Sequence, residues 1–148
     1  MVHRSTAVDD LTRRLLRHEA GGAKDAASLA AALEEACQKL SGELETLVGR
    51  GGVAALLGRA LALTKREFPF LAGVRLLADA SPSFEALHES LQGRSAAEAD
   101  GASVALLANL VGLLVDLLGE DLGLRPVVNA WPDVLHGAGP PASTESGE

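Results

Sequence analysis

The chain has 148 residues, enough for one hydrophobic core, and 47% of them are apolar while only 3% are aromatic, so the core must be built from Ala, Leu and Val. Thirteen Lys and Arg against twenty Asp and Glu give a net charge of −7, which argues against a surface made to meet nucleic-acid phosphates. One cysteine, Cys37, excludes an internal disulfide, and a polar, acidic start (Met1 to Asp10) lacks the apolar run of a secretion signal, so a cytoplasmic protein is expected.

The first predicted helix follows Thr6 and Asp9, which stand at capping spacing, and carries Val8, Leu11 and Leu15 on one face. Arg13, Arg14 and Arg17 lie mostly off that stripe and form a candidate basic patch, joined by Arg4 and His18. Gly21-Gly22 ends the helix. Asp25 is placed to cap a second helix in which Leu29, Leu33, Ala36, Leu40, Leu44 and Leu47 recur at steps of three or four. Cys37 belongs to this periodicity and reads as a small core residue.

Gly49 is expected to end the second helix, and Gly51-Gly52 to separate it from a third. There Val53, Leu56, Leu57, Ala60, Leu61 and Thr64 share one face while Arg59 and Arg66 share the opposite one. Phe68-Pro69-Phe70 closes it with a bend and two aromatic plugs. Ser83 is placed to cap a short helix through Leu91, and Leu76 and Leu77 fall in the ambiguous stretch before it.

Ser95-Ala-Ala-Glu98 has the capping-box pattern and opens a long helix through Val104, Leu107, Leu110, Leu114, Leu117 and Leu118. Apolar nearly all round, this helix should be the central element of the fold. Asp116 inside it, with Glu120 and Asp121 at its exit, argues against a membrane span. Gly119 ends it, and a last segment carries Leu122, Leu124, Val127, Val128 and Trp131, with Pro126 expected to kink or restart it. Residues 6–136 should form a single domain, and residues 137–148 lack any core-forming side chain and read as a disordered tail. The expected fold is all-α, a compact bundle of about five helices around the long apolar one.

No motif for chemistry assembles. Glu85-Ala-Leu-His88 has the spacing of a helical carboxylate–histidine metal pair, but the second such pair that a two-metal bundle needs is missing. Gly49-Arg-Gly51-Gly52-Val-Ala54 matches a dinucleotide fingerprint in letters, yet it follows a predicted helix where that turn requires a strand. No cofactor, metal or catalytic residue is therefore expected, and the chain reads as a non-enzyme. Asn109 and Asp116 are more informative, being seven apart on the apolar helix and in need of partners. They can reach an edge, bond within the bundle, or meet a second subunit, so they are candidate interface residues or polar anchors.

The segment Leu117-Leu-Gly-Glu-Asp-Leu-Gly-Leu-Arg125 followed by Trp131-Pro-Asp133 resembles the ending of small uncharacterised bacterial helical proteins. Leu47 to Leu57 and Lys65-Arg-Glu-Phe-Pro69 are similar to their middle part. The resemblance covers about half the chain and departs from the pattern at Pro126. It implies a helical bundle and carries over no catalytic residue.

A mean hydropathy of +0.18 in so short a chain suggests more apolar surface than one small core buries. The expected function is a protein–protein interaction or regulatory module, a homodimer or the partner of another helical protein, with neither membrane nor nucleic acid as partner. The alternative is a small-molecule-sensing bundle whose apolar pocket uses Asn109 or Asp116 as its anchor.

Overall fold

The computed structural model describes residues 6–21, 25–75 and 83–132. Over these residues the chain is all helical: α1 (Thr6–Ala20), α2 (Ala26–Glu67), α3 (Phe84–Leu91), α4 (Ala96–Leu118) and α5 (Glu120–Ala130), with a 3₁₀ turn at Pro69–Leu71. Leu76, Leu77, Arg4 and the tail expected over residues 137–148 lie outside the described residues.

The capping residues work largely as their chemistry requires. Asp25 Oδ2 accepts the Ser28 backbone N–H at 3.0 Å, Ser83 Oγ accepts that of Ala86 at 3.4 Å, and Ser95 and Glu98 form the reciprocal capping box. Thr6 is already helical, and the residues before it lie outside the described residues. The second and third expected helices are two arms of α2 that meet at Gly49, whose φ of 74° and ψ of 172° break the helical path. A β-carbon is costly at positive φ, so glycine supplies the break, and Arg50 to Gly52 already belong to the second arm.

The most apolar helix is the hub. Every residue of α4 from Ala102 to Leu114 is buried, and α1, α2 and α5 all pack on it. Gly101, Ala102, Ser103, Ala105, Ala108 and Gly112 keep its circumference small, so neighbours approach on all sides. Two pairings fix the direction of the second arm of α2: Thr64 bonds Asn109, and a β-carbon on Gly101 would lie 3.3 Å from the Phe68 ring. These contacts run in opposite chain order, so this arm lies antiparallel to α4.

The chain reverses at Gly119, where φ is 85°, and α5 folds back along α4. Gly123 makes that return possible. A β-carbon there would sit 2.7 Å from the Leu114 carbonyl oxygen, a separation that only a hydrogen side chain permits. The helix then passes through Pro126, which was expected to kink or restart it. Pro126 is buried beside Gly123 and Val127 at steps of three and four, and burial of that stripe outweighs the hydrogen bond that proline removes.

By length and composition, α2 and α4 are both apolar enough to cross a membrane. In α4, 72% of the qualifying stretch is buried against the rest of the chain, as a core helix requires, whereas in α2 the share is 22% and Gly49 divides the helix.

Candidate functional site

Asn109 and Asp116, the polar pair on one face of α4, have separate fates. Asn109, 3% exposed, donates its side-chain amide N–H to Thr64 Oγ1 at 2.9 Å, and the Thr64 hydroxyl donates in turn to the Ala60 carbonyl at 2.7 Å. This relay binds the second arm of α2 to α4 inside the bundle and gives the buried amide a partner. Asp116 is exposed. Although seven residues place both on one face, burial on all faces stops at Leu114, and the last turn of α4 emerges from its neighbours. In the sequence Thr64 stands only as a member of the helical stripe, and a hydroxyl interrupting an apolar face is the signal for its role.

The candidate basic patch is partly used within the fold. Arg13 Nε lies 3.7 Å from Asp100 Oδ2, linking α1 to the second turn of α4. Arg14 and Arg17 are exposed and have no ion-pair partner among the described residues.

Glu19 holds together parts of the chain that sequence reasoning did not connect. Its side chain is 7% exposed, and it stands in the last turn of α1, where a negative charge is disfavoured by the helix dipole. Trp131 Nε1 donates to Glu19 Oε2 at 2.7 Å, and Lys39 Nζ donates to the same oxygen. Burial pushes the carboxyl pKa up, but the bonds from Lys39 and Trp131 together with the Lys39 charge outweigh it, and the net shift is downward.

Residues considered for chemistry are dispersed. His88 Nε2 stands 3.2 Å from Glu34 Oε1 and joins α3 to α2, while Glu85 is exposed. Among the described residues no three His, Cys, Asp or Glu converge on a point that could hold a metal. Cys37 is buried and its thiol is pushed up to about 12, by desolvation first and the Glu34 charge second, so it carries essentially no thiolate near neutrality. The Gly49 to Ala54 sequence is the break in α2, with helix on both sides. It lacks the preceding strand that a dinucleotide turn requires.

Two surfaces stand out among the described residues. The first is the corner between α4 and α5. Leu117 and Leu122, expected in the core, are 62% and 38% exposed, with Glu120 and Asp121 exposed between them in the first turn of α5. Leu47, also expected inside, is 42% exposed because a four-residue step from Leu44 puts Val48 against the core instead. The second is a groove of about 230 Å³ on the second arm of α2, lined by Arg59, Ala62, Leu63 and Arg66. Asn109 does not line it.

No protein-family model, no curated protein and no solved structure matches this chain. Any functional reading must therefore come from these surfaces.

Proposed function

We propose that this chain is a protein–protein interaction or regulatory module of the cytoplasm, without catalytic activity, that self-associates through the α4–α5 corner. The observation that carries this reading is the exposure of Leu117 and Leu122 at 62% and 38%, on opposite sides of the Gly119 break. Large aliphatic side chains left exposed on either side of a turn gain free energy when a partner covers them, by roughly 25 cal/mol per Å² removed from water. The charged residues between them, Glu120 and Asp121, give the patch the polar surround that interfaces use to exclude wrong partners.

The ligand-sensing alternative has less support, since Asn109 is engaged by Thr64 and the groove on α2 lies elsewhere. Sedimentation velocity on a Leu117→Ser, Leu122→Ser double variant tests the proposal. A folded variant that stays monomeric at concentrations where the wild-type chain associates supports it, and association equal to wild type contradicts it.

A further inference from the structure

We infer that the α4–α5 corner of one copy docks into the arginine-flanked groove on α2 of a second copy. The inference rests on the self-association reading and names the two surfaces that meet.

The groove is built from one helix face. Arg59, Ala62, Leu63 and Arg66 follow at steps of three, one and three, so they form a single stripe, with the arginines about 10.5 Å apart along the axis at 1.5 Å per residue. Both arginines are exposed, and neither forms an ion pair among the described residues. Between them Ala62 and Leu63 supply a short apolar floor, with Leu63 half-buried against the core.

The corner has the opposite charge and a matching apolar content. Glu120 and Asp121 are exposed between Leu117 and Leu122, and neither carboxylate forms an ion pair among the described residues. Their place in the first turn of α5 suits the helix dipole, which explains their tolerance there but leaves their outward charge unmatched.

Electrostatics selects the pairing. Groove against groove would set arginine against arginine, and corner against corner would set carboxylate against carboxylate, both repulsive at short range. Corner in groove brings two carboxylates to two guanidinium groups and covers leucine with leucine. Within the described residues no ion pair joins the two surfaces in one chain, so a second copy is the partner whose charge and shape chemistry is already present in the protein. In a two-fold pair the contact forms twice, which closes the assembly.

Charge-swap complementation in the full-length chain tests this. Arg59→Glu with Arg66→Glu makes the groove acidic, and Glu120→Arg with Asp121→Arg makes the corner basic. Each variant alone should self-associate at least about tenfold more weakly than wild type, because like charges then face each other. An equimolar mixture should restore association, since each acidic surface then meets a basic one. Circular dichroism checks the fold, and a Glu120→Gln, Asp121→Asn variant should also weaken association, by less than the charge reversal because it removes attraction without adding repulsion, and it places no positive charge at the start of α5. Wild-type association that neither charge variant changes overturns this docking mode and leaves self-association standing. A wild-type chain that does not associate overturns both.

Discussion

Trp131 donates its indole N–H to the carboxylate of Glu19 at 2.7 Å, across 112 positions of sequence. The contact fastens the end of α5 to the end of α1, and the Lys39 ammonium on the same carboxylate adds α2 to the junction. Trp131→Phe keeps most of the buried ring and removes the donor, leaving a largely buried carboxylate with one partner fewer. We expect a loss of about 2 kcal/mol, in the range for hydrogen bonds to charged groups, measured by urea denaturation. Lys39→Met should cost less, because that side chain is 41% exposed and water can replace it.

The same carboxylate sets a pH dependence. Its folded-state pKa lies below the ordinary glutamate value, so the unfolded chain binds the proton more tightly. The stabilisation is therefore fully present above the unfolded value of about 4.3 and is lost as pH falls through the lower folded value. Thermal melts of wild type and Glu19→Gln from neutral to acidic pH should show a shallower acid slope in the variant. Parallel slopes would assign the acid sensitivity to other carboxylates.

At the α4–α5 crossing the expected effect comes from a single methyl group. In Gly123→Ala the new β-carbon meets the Leu114 backbone at 2.7 Å, and backbone cannot move aside as a side-chain tip can. The predicted cost is about 3 kcal/mol, at the upper end for overpacked cores. Gly101→Ala, where the neighbour is the edge of the Phe68 ring at 3.3 Å, should be close to neutral, because alanine's helix preference of about 1 kcal/mol offsets a mild clash. Equal effects at the two glycines would show that α5 does not depend on this close approach.

The Asn109–Thr64 bond should appear as an energetic coupling. Asn109→Ala strips the partner from a buried site and should destabilise by about 2 kcal/mol. A double-mutant cycle with Thr64→Val should return a coupling of about 1 kcal/mol, as contacting polar residues do. Additive losses would mean that the two side chains act independently.

Ser103 makes the opposite prediction. Its hydroxyl is buried without a hydrogen-bond partner among the described residues, so Ser103→Ala removes a desolvated polar group and little volume. Stability should rise by about 1 kcal/mol, read as a higher denaturant midpoint at unchanged slope.

Local chemistry made most of the helices legible in the sequence. Asp25, Ser83 and Ser95 mark helix starts because a side-chain oxygen at that position satisfies backbone N–H groups that no other residue reaches. The nearly continuous apolar run of α4 announces a helix surrounded by its neighbours. What the sequence does not carry is where packing ends. Leu117 and Leu122 have the same letters and spacing as buried leucines, and only the arrangement of α4 and α5 on either side of Gly119 leaves them exposed. Asn109 and Asp116 share a helical face but not an environment, for the same reason. The junction of Glu19, Lys39 and Trp131 depends on how three helices cross, and no local pattern records a crossing. Pro126 does not restart the helix, and its burial within α5 is not visible in one dimension.

Light scattering of the full-length wild-type chain across a concentration series tests the proposed function most directly. Self-association through the α4–α5 corner predicts a mass rising from 15.2 kDa toward about twice that value. A mass of 15.2 kDa at every concentration would contradict it.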